Sequence, residues 1–115
     1  MKKITIYHNP RCSKSREALS ILQGKRIDLK IVDYLKTPLN ASQIKVLLNQ
    51  LQLKPVEIIR TKEHCFSELG LSKASTNAEL IKAMSENPIL IERPIVTDGE
   101  NAVIGRPPEN VLKLL

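Results

Sequence analysis

The first 35 residues carry a strand–helix–strand pattern, and this pattern constrains the fold more than any other feature of the sequence. In the segment KKITIY, Ile4 and Ile6 alternate with polar neighbours, as in a short strand. A helix is predicted over residues 13–22, where apolar residues share one face and Gly24 provides a stop. Residues 28–35, DLKIVDYL, indicate a second strand. Such a βαβ unit favours parallel strands with the helix packed on one face.

Helix signals fill the middle of the chain. Asn40 and Gln43 have the N-x-x-Q spacing that can satisfy free amides at a helix start, and Thr76 and Glu79 repeat the capping-box spacing. Pro55 suits the first turn of another short helix between them. We therefore predict a helical insertion after the βαβ unit.

The C-terminal segment changes character. RPIVTD and NAVIG are predicted as two strands joined by a tight turn at Asp98-Gly99, and Pro107 and Pro108 open a last helix. The order βαβ, helices, ββα is that of thioredoxin-like folds. We predict an α/β protein with a small mixed sheet flanked by helices, forming a single domain over residues 1–115.

Length and cysteine content exclude several classes of protein. A chain of 115 residues can form one core without metal or disulfide support, and two cysteines are too few for a disulfide-rich secreted scaffold. The N-terminus lacks the apolar segment of a signal peptide, and no stretch approaches the roughly 18 apolar residues of a membrane span. We expect a cytoplasmic protein without a membrane partner, whose thiols are normally reduced.

Positive charge is concentrated in the N-terminal third. The formal net charge is +6, and residues 1–36 hold nine basic and three acidic side chains, so the remainder is neutral. Basic chains are typical of nucleic-acid-binding proteins. Single-strand binding needs aromatic stacking surfaces, however, and the chain has only Tyr7, Tyr34 and Phe66. A local anion site is therefore favoured over nucleic acid as a partner.

Cys12 lies between the first strand and the first helix, where a thiolate is stabilised by unpaired amides and the helix dipole. His8 is four residues upstream, and Arg11, Lys14 and Arg16 are close in sequence. A buried, inert cysteine is the alternative, but these polar neighbours argue against it. We predict that Cys12 is a nucleophile and that His8 tunes its pKa, with a solvated or capping histidine as the alternative.

Ser15 gives the motif C-x-x-S in place of C-x-x-C. Because the motif has no second sulfur, Cys12 must be resolved by an outside thiol. The Ser15 hydroxyl can donate a hydrogen bond to the thiolate or to a bound oxyanion, or it can be an ordinary serine at a helix start. Cys65 is a further candidate for resolving Cys12, although nothing in the spacing requires it.

Spacing argues against two other kinds of cysteine site. A tyrosine-phosphatase loop needs C-x5-R, and the sixth residue after Cys12 is Ala18. The pairs His8 with Cys12 and His64 with Cys65 lack the paired spacing of a zinc site, so no metal is expected.

Three arginines far apart in the sequence are candidates for binding an oxyanion. Arg60 ends a short helix, Arg93 precedes Pro94 at the start of a strand, and Arg106 precedes the prolines of the last helix. In a thioredoxin-like sheet the X-Pro bond faces the active cysteine, and Arg93-Pro94 is the candidate cis bond. Guanidinium groups bind tetrahedral oxyanions in a bidentate fork. The alternative interpretation of each arginine is an ordinary surface charge that binds no ligand.

Four segments around these residues carry a family resemblance: YHNPRCSKSREAL (7–19), IIRTKEHCFSELGL (58–71), NPILIERPIV (87–96) and IGRPPENVL (104–112). In order and spacing they resemble the glutaredoxin- and glutathione-linked arsenate reductase family (ArsC-like), nearly end to end. The resemblance implies that Cys12 attacks arsenate and that His8 favours its thiolate. It assigns the binding of the oxyanion to three residues, Arg60, Arg93 and Arg106.

The resemblance also implies co-substrates. Glutathione would attack the cysteine–arsenic adduct, arsenite would leave, and glutaredoxin would clear the mixed disulfide between glutathione and Cys12; no tightly bound cofactor is implied. Established members have C-G-T-S after an alanine, whereas this chain resembles an Arg-Cys-Ser-Lys-Ser branch at residues 11–15. Lys14 adds bulk and charge beside the nucleophile, and arsenate is the leading substrate.

Two other functions remain open. Spx-type regulators share the fold and the R-P-I segment, but they bind RNA polymerase and sense oxidants through C-x-x-C, where this chain has Ser15. A glutathione-dependent thiol oxidoreductase with another substrate is the third interpretation.

Overall fold

The elements of the chain follow the predicted order, with two additions. The computed structural model describes all 115 residues. It contains β1 (Lys3–His8), α1 (Ser13–Gln23), β2 (Asp28–Asp33), α2 (Ala41–Leu51), α3 (Pro55–Ile58), α4 (His64–Glu68), α5 (Asn77–Glu86), β3 (Ile95–Thr97) and β4 (Ala102–Ile104). Two 3₁₀-helices span Pro88–Leu90 and Pro108–Leu114. The additions are α4 and the first 3₁₀-helix, which the sequence pattern did not resolve.

The sheet is mixed, and its strand order is β2-β1-β3-β4. β1 runs parallel to β2, with Lys3 opposite Asp28 at one end and His8 opposite Asp33 at the other. β3 is antiparallel to both β1 and β4. The predicted α/β class with a small mixed sheet and flanking helices is confirmed.

The chain divides into two compact units, residues 1–37 with 93–115 and residues 38–92. The first unit contains the sheet, α1 and the C-terminal 3₁₀-helix, and its core includes Ile4, Ile6, Ala18, Leu22, Val96, Val111 and Leu114. Alternating burial along β1 follows the period of a strand and directs both isoleucines into this core. A single domain over residues 1–115 stays a prediction.

The second unit is helical. α2 and α5 pack against each other through faces that bury Ile44, Leu47 and Leu48 on one helix and Leu80, Ile81 and Met84 on the other. Both predicted capping boxes are present at their N-termini. Asn40 Oδ1 accepts from the Gln43 N–H at 2.8 Å, and Thr76 Oγ1 accepts from the Glu79 N–H at 3.1 Å.

Two element boundaries differ from the predictions, each for a local reason. β2 ends at Asp33 because its carboxylate accepts the Leu35 N–H at 3.1 Å and its carbonyl accepts the Thr37 N–H at 2.9 Å, which closes a turn. The C-terminal helix is of the 3₁₀ type, and the Asn110 N–H donates three residues back to the Pro107 carbonyl at 3.0 Å.

The longest helices have 11 residues, and none has the length and apolar character to cross a membrane.

Candidate active site

Cys12 occupies the N-cap position of α1. Its N–H donates to the Asn9 carbonyl at 3.0 Å, and its own carbonyl accepts the Arg16 N–H at 3.0 Å, so the loop turns directly into the helix. An N-cap side chain lies beside the free amides of the first helical turn. The half-buried sulfur therefore faces the backbone N–H groups of Lys14 and Ser15.

Opposing influences act on the pKa of Cys12, and the net effect is a lowering from the ordinary value of 9.0. Burial is the largest single influence and raises the pKa. The backbone N–H of Ser15, the guanidinium of Arg93 and the backbone N–H of Lys14 lower it by binding the charged form. The site therefore favours a thiolate, the nucleophilic form of cysteine.

Two of the three predicted arginines lie at this sulfur. Arg106 Nη1 is 3.7 Å from Cys12 Sγ and 3.2 Å from the Arg93 carbonyl oxygen, to which it donates. Arg93 contributes a side-chain hydrogen bond to the sulfur. The Arg93-Pro94 bond is cis, as predicted, and Arg106-Pro107 is a second cis bond that was not predicted. Both guanidinium groups thus act on the sulfur of Cys12.

Ser15 and His8 form a buried pair behind the loop. His8 Nδ1 lies 2.7 Å from Ser15 Oγ, which also accepts the Asn9 N–H at 3.0 Å. Ser15 is completely buried and His8 is 7% exposed. The Ser15 hydroxyl therefore binds His8 and the backbone of Asn9 instead of donating to Cys12. It is the Ser15 backbone that faces the thiolate.

The pKa of His8 is lowered, chiefly because burial penalises the imidazolium. Asp33, opposite it on β2, raises the pKa, and Arg16 lowers it further. The imidazole is accordingly neutral near pH 7. His8 contacts the loop through Ser15, and its influence on the pKa of Cys12 stays a prediction.

Arg60 and Cys65 belong to the second unit. Arg60 pairs with two carboxylates there, through Nε to Glu63 Oε1 and Nη1 to Glu92 Oε1, both at 3.0 Å. Its role as a third oxyanion ligand stays a prediction.

The pKa of Cys65 is raised by burial and by the charges of Glu68 and Glu63, which makes its thiol a poor nucleophile near neutral pH. No group of three or more His, Cys, Asp or Glu side chains is placed to hold a metal ion.

A groove beside the Cys12 loop was not predicted. It has a volume of about 390 Å³ and is lined by Asn9, Pro10, Arg11, Asp33, Leu35 and Lys36. One feature of the sequence indicated it, the cation Arg11 next to the nucleophile. The other wall of the groove comes from the segment 33–36. This segment reaches the groove because β1 pairs with β2, which brings His8 opposite Asp33.

A cysteine at a helix N-terminus, two arginines at its sulfur and a cis proline on a mixed sheet define a thiol-dependent oxidoreductase of thioredoxin-like fold. The model of the ArsC family matches residues 7–114. The chain therefore belongs to the ArsC family.

Similar proteins extend over almost the whole chain. The arsenate reductase of Neisseria meningitidis serogroup A is 43% identical over 117 residues, covering 100% of both chains. The uncharacterized protein YfgD of Escherichia coli (strain K12) is 47% identical over 116 residues, covering 99% of this chain and 98% of the relative. The solved structure of an arsenate reductase from Vibrio cholerae superposes with a TM-score of 0.94 at 42% identity, covering 99% and 98% of the two chains.

Proposed function

We propose that this protein reduces arsenate to arsenite, with the Cys12 thiolate as nucleophile and glutathione and glutaredoxin as the reducing partners. The observation that carries the proposal is the convergence of Arg93 and Arg106 on a sulfur whose pKa is lowered. A tetrahedral oxyanion needs such guanidinium groups for binding, and its reduction needs a thiolate. Family membership and the named relatives support arsenate as the oxyanion.

The first step is displacement at arsenic. The Cys12 thiolate forms a sulfur–arsenic bond, and one arsenate oxygen leaves as water after protonation. Attack by one anion on another is opposed by charge repulsion, which the two guanidinium groups offset in a partly dehydrated site. Arg60 is proposed as a third ligand of the oxyanion, on the strength of the family resemblance.

The second step transfers the electron pair. A glutathione thiolate attacks Cys12 Sγ, a sulfur–sulfur bond forms, and the sulfur–arsenic bond breaks with its electrons remaining on arsenic. Two thiols are thereby oxidised to a mixed disulfide while arsenate becomes arsenite. Glutaredoxin then reduces the mixed disulfide.

Two features of the chain support the need for an outside thiol to resolve Cys12. Position 15 is a serine, and the raised pKa of Cys65 makes that thiol a weak attacking group. The cycle consumes reduced thiols, so we place the protein in the cytoplasm.

The test is arsenate-dependent NADPH oxidation in the presence of glutathione, glutathione reductase and glutaredoxin. We expect turnover by the wild-type protein, none by Cys12→Ser, and loss of at least about 100-fold in kcat/KM for Arg106→Gln, the scale of removing one preorganised charge from a transition state. Arg26→Gln, an exposed arginine in the same unit, is the matched control and should match the wild type. Absence of arsenate turnover in a protein whose Cys12 reacts normally with iodoacetamide would reject arsenate as the substrate.

A further inference from the structure

We propose that the groove of about 390 Å³ beside the loop before Cys12 binds the charged ends of a zwitterionic thiol peptide of the glutathione class. The inference rests on the proposed function, because it assigns the second substrate of that reaction to a surface of this chain. Four of its lining residues carry the argument: Asn9, Arg11, Asp33 and Lys36.

The groove lies at the carboxyl ends of two neighbouring parallel strands. β1 ends at His8 and β2 at Asp33, which are opposite each other in the sheet. Ligands of α/β proteins bind outside the carboxyl ends of parallel strands. One wall of the groove is the loop that leads from Asn9 to Cys12, and the Cys12 N–H donates to the Asn9 carbonyl at 3.0 Å. A thiol ligand held in the groove therefore binds to the loop that carries the reacting cysteine.

The charges lining the groove select a particular kind of ligand. Arg11 and Lys36 are exposed, and neither forms an ion pair within the protein. Asp33 also lines the groove, and one of its carboxylate oxygens accepts the Leu35 N–H. Two cations and one carboxylate complement a ligand with two carboxylates and one ammonium, the charge set of glutathione. A purely anionic ligand would match the two cations and place no cation beside Asp33.

The walls of the groove are held in place by the protein itself. Asn9 Oδ1 accepts the Arg11 N–H at 3.0 Å, and Arg16 Nη1 donates to the Pro10 carbonyl at 2.9 Å. On the other side the Asp33 carboxylate fixes the turn that carries Lys36. A preformed groove of this volume is suited to a small molecule, since little ordering is needed on binding.

Thiol–disulfide exchange tests the inference without arsenate. The Cys12 thiolate attacks one sulfur of glutathione disulfide, a Cys12–glutathione disulfide forms, the original sulfur–sulfur bond breaks, and the second glutathione leaves as a thiolate. The same reaction with 2-hydroxyethyl disulfide, which carries no charge, is the reference. The ratio of the two rate constants reports on the groove and cancels any change in the reactivity of Cys12 itself.

We expect Lys36→Gln and Asp33→Asn each to reduce this ratio about two- to fivefold, the value of one partly exposed charge contact. Lys36→Arg should retain the wild-type ratio. Lys30→Gln removes an exposed lysine of β2 that does not line the groove, and should leave the ratio unchanged. Equal losses in Lys30→Gln and Lys36→Gln would show that the overall charge of the protein causes the effect, and would overturn the inference.

Direct binding provides the second readout. Titration of ¹⁵N-labelled protein with S-methylglutathione, which cannot react, should shift the amides of Asn9, Arg11, Leu35 and Lys36. Shifts confined to other residues would overturn the groove assignment. So would the absence of any shift, which is the outcome expected if the protein recognises only a protein thiol. Failure of the arsenate assay with these shifts and ratios intact would reject the proposed substrate and keep the thiol site.

Discussion

At the scale of single residues, reactivity at Cys12 arises from opposing effects. Burial makes the thiolate costly, and the amides of the first turn of α1 together with Arg93 more than compensate. Behind the loop, the fully buried Ser15 hydroxyl and the neutral imidazole of His8 bind each other. The charge on the sulfur is therefore stabilised by backbone and guanidinium groups, while the histidine and serine keep the backbone in place.

Removing the guanidinium of Arg93 should raise the pKa of Cys12. In Arg93→Met the burial of the sulfur persists while one of the groups that bind the thiolate is lost. We expect thiolate absorbance at 240 nm to appear at higher pH than in the wild type, and alkylation by iodoacetamide at pH 7 to slow. Lys25→Met, an exposed cation of the same unit, is the control. An unchanged titration in Arg93→Met would mean that the amides alone stabilise the thiolate.

Ser15→Ala should affect stability more than reactivity. The substitution leaves His8 Nδ1 and the Asn9 N–H without their buried partner, at a cost of about 1–3 kcal/mol. The backbone N–H that faces Cys12 is retained, so the alkylation rate of the folded protein should stay within about twofold of the wild type. Urea unfolding measures the first quantity, and Ser20→Ala, at an exposed position of α1, is the matched control. A large loss of reactivity without loss of stability would show that the hydroxyl acts on the sulfur directly.

The lowered pKa of Cys12 also predicts a pH dependence of stability. Between its native pKa and the ordinary value of 9.0, the native state binds fewer protons than the unfolded state, so stability rises with pH in that window. The stabilisation by the Cys12 thiolate is complete above the pKa of the unfolded state, and it disappears as pH falls through the pKa of the native state. The stability difference between wild type and Cys12→Ser, from urea unfolding under reducing conditions, should therefore grow in favour of the wild type as pH rises from the native pKa of Cys12 toward 9.0. Cys65 is present in both proteins and cancels; a difference that is constant with pH would contradict the lowered pKa.

At the scale of elements, the active site depends on a close approach between α1 and the segment before β3. Gly105 donates its N–H to the Pro94 carbonyl at 2.9 Å. A Cβ at this position would lie 2.8 Å from Pro94 Cγ and 3.3 Å from Ala18 Cβ. The proline ring and the helix leave no room for a side chain, and the next residue is Arg106. Glycine at position 105 thus allows both arginine-bearing segments to reach Cys12.

Gly105→Ala should consequently destabilise the protein by about 1–3 kcal/mol, the cost of overpacking a buried position. Gly24→Ala is the control, because a Cβ there would make only ordinary contacts, at 3.5 Å and 3.9 Å from helix carbonyl oxygens. Urea unfolding measures both variants. We also expect slower alkylation of Cys12 in Gly105→Ala, since a shift of the 105–106 segment moves Arg106 away from the sulfur. Equal stability of the two variants would show that Pro94 relaxes freely.

Local sequence signals were sufficient where an element carries its own caps and periodicity. α2 and α5 have capping boxes and apolar faces, and β1 has strict alternation. α4 has five residues with one buried apolar side chain, Phe66, so it shows no periodicity that a sequence pattern could detect. The same limit applies to the site. Cys12 was visible from its local position, whereas the groove depends on strand pairing and the direction of the Ser15 hydroxyl depends on tertiary packing.

At the scale of the whole molecule, the net charge is confined to one of the two compact units. The first unit carries twelve basic and six acidic side chains, and the second carries six of each. The first unit contains Cys12, Arg93, Arg106 and the groove. Both proposed substrates, arsenate and glutathione, are anions. The distribution of charge therefore raises their local concentration at the unit that contains the reacting sulfur.

Salt should weaken the reaction of Cys12 with anions and spare its reaction with neutral reagents. Raising the ionic strength from about 20 mM to about 200 mM shortens the screening length from about 20 Å to about 7 Å, which removes most of the attraction between the basic unit and a distant anion. We expect the KM for arsenate to rise about two- to fivefold over this range, with kcat little changed, because the contacts of Arg93 and Arg106 lie well inside the screening length. Alkylation by neutral iodoacetamide should change less than the reaction with anionic iodoacetate, measured on the same protein at the same pH. Equal salt dependence for the two reagents would mean that the +6 charge has no part in bringing anions to Cys12.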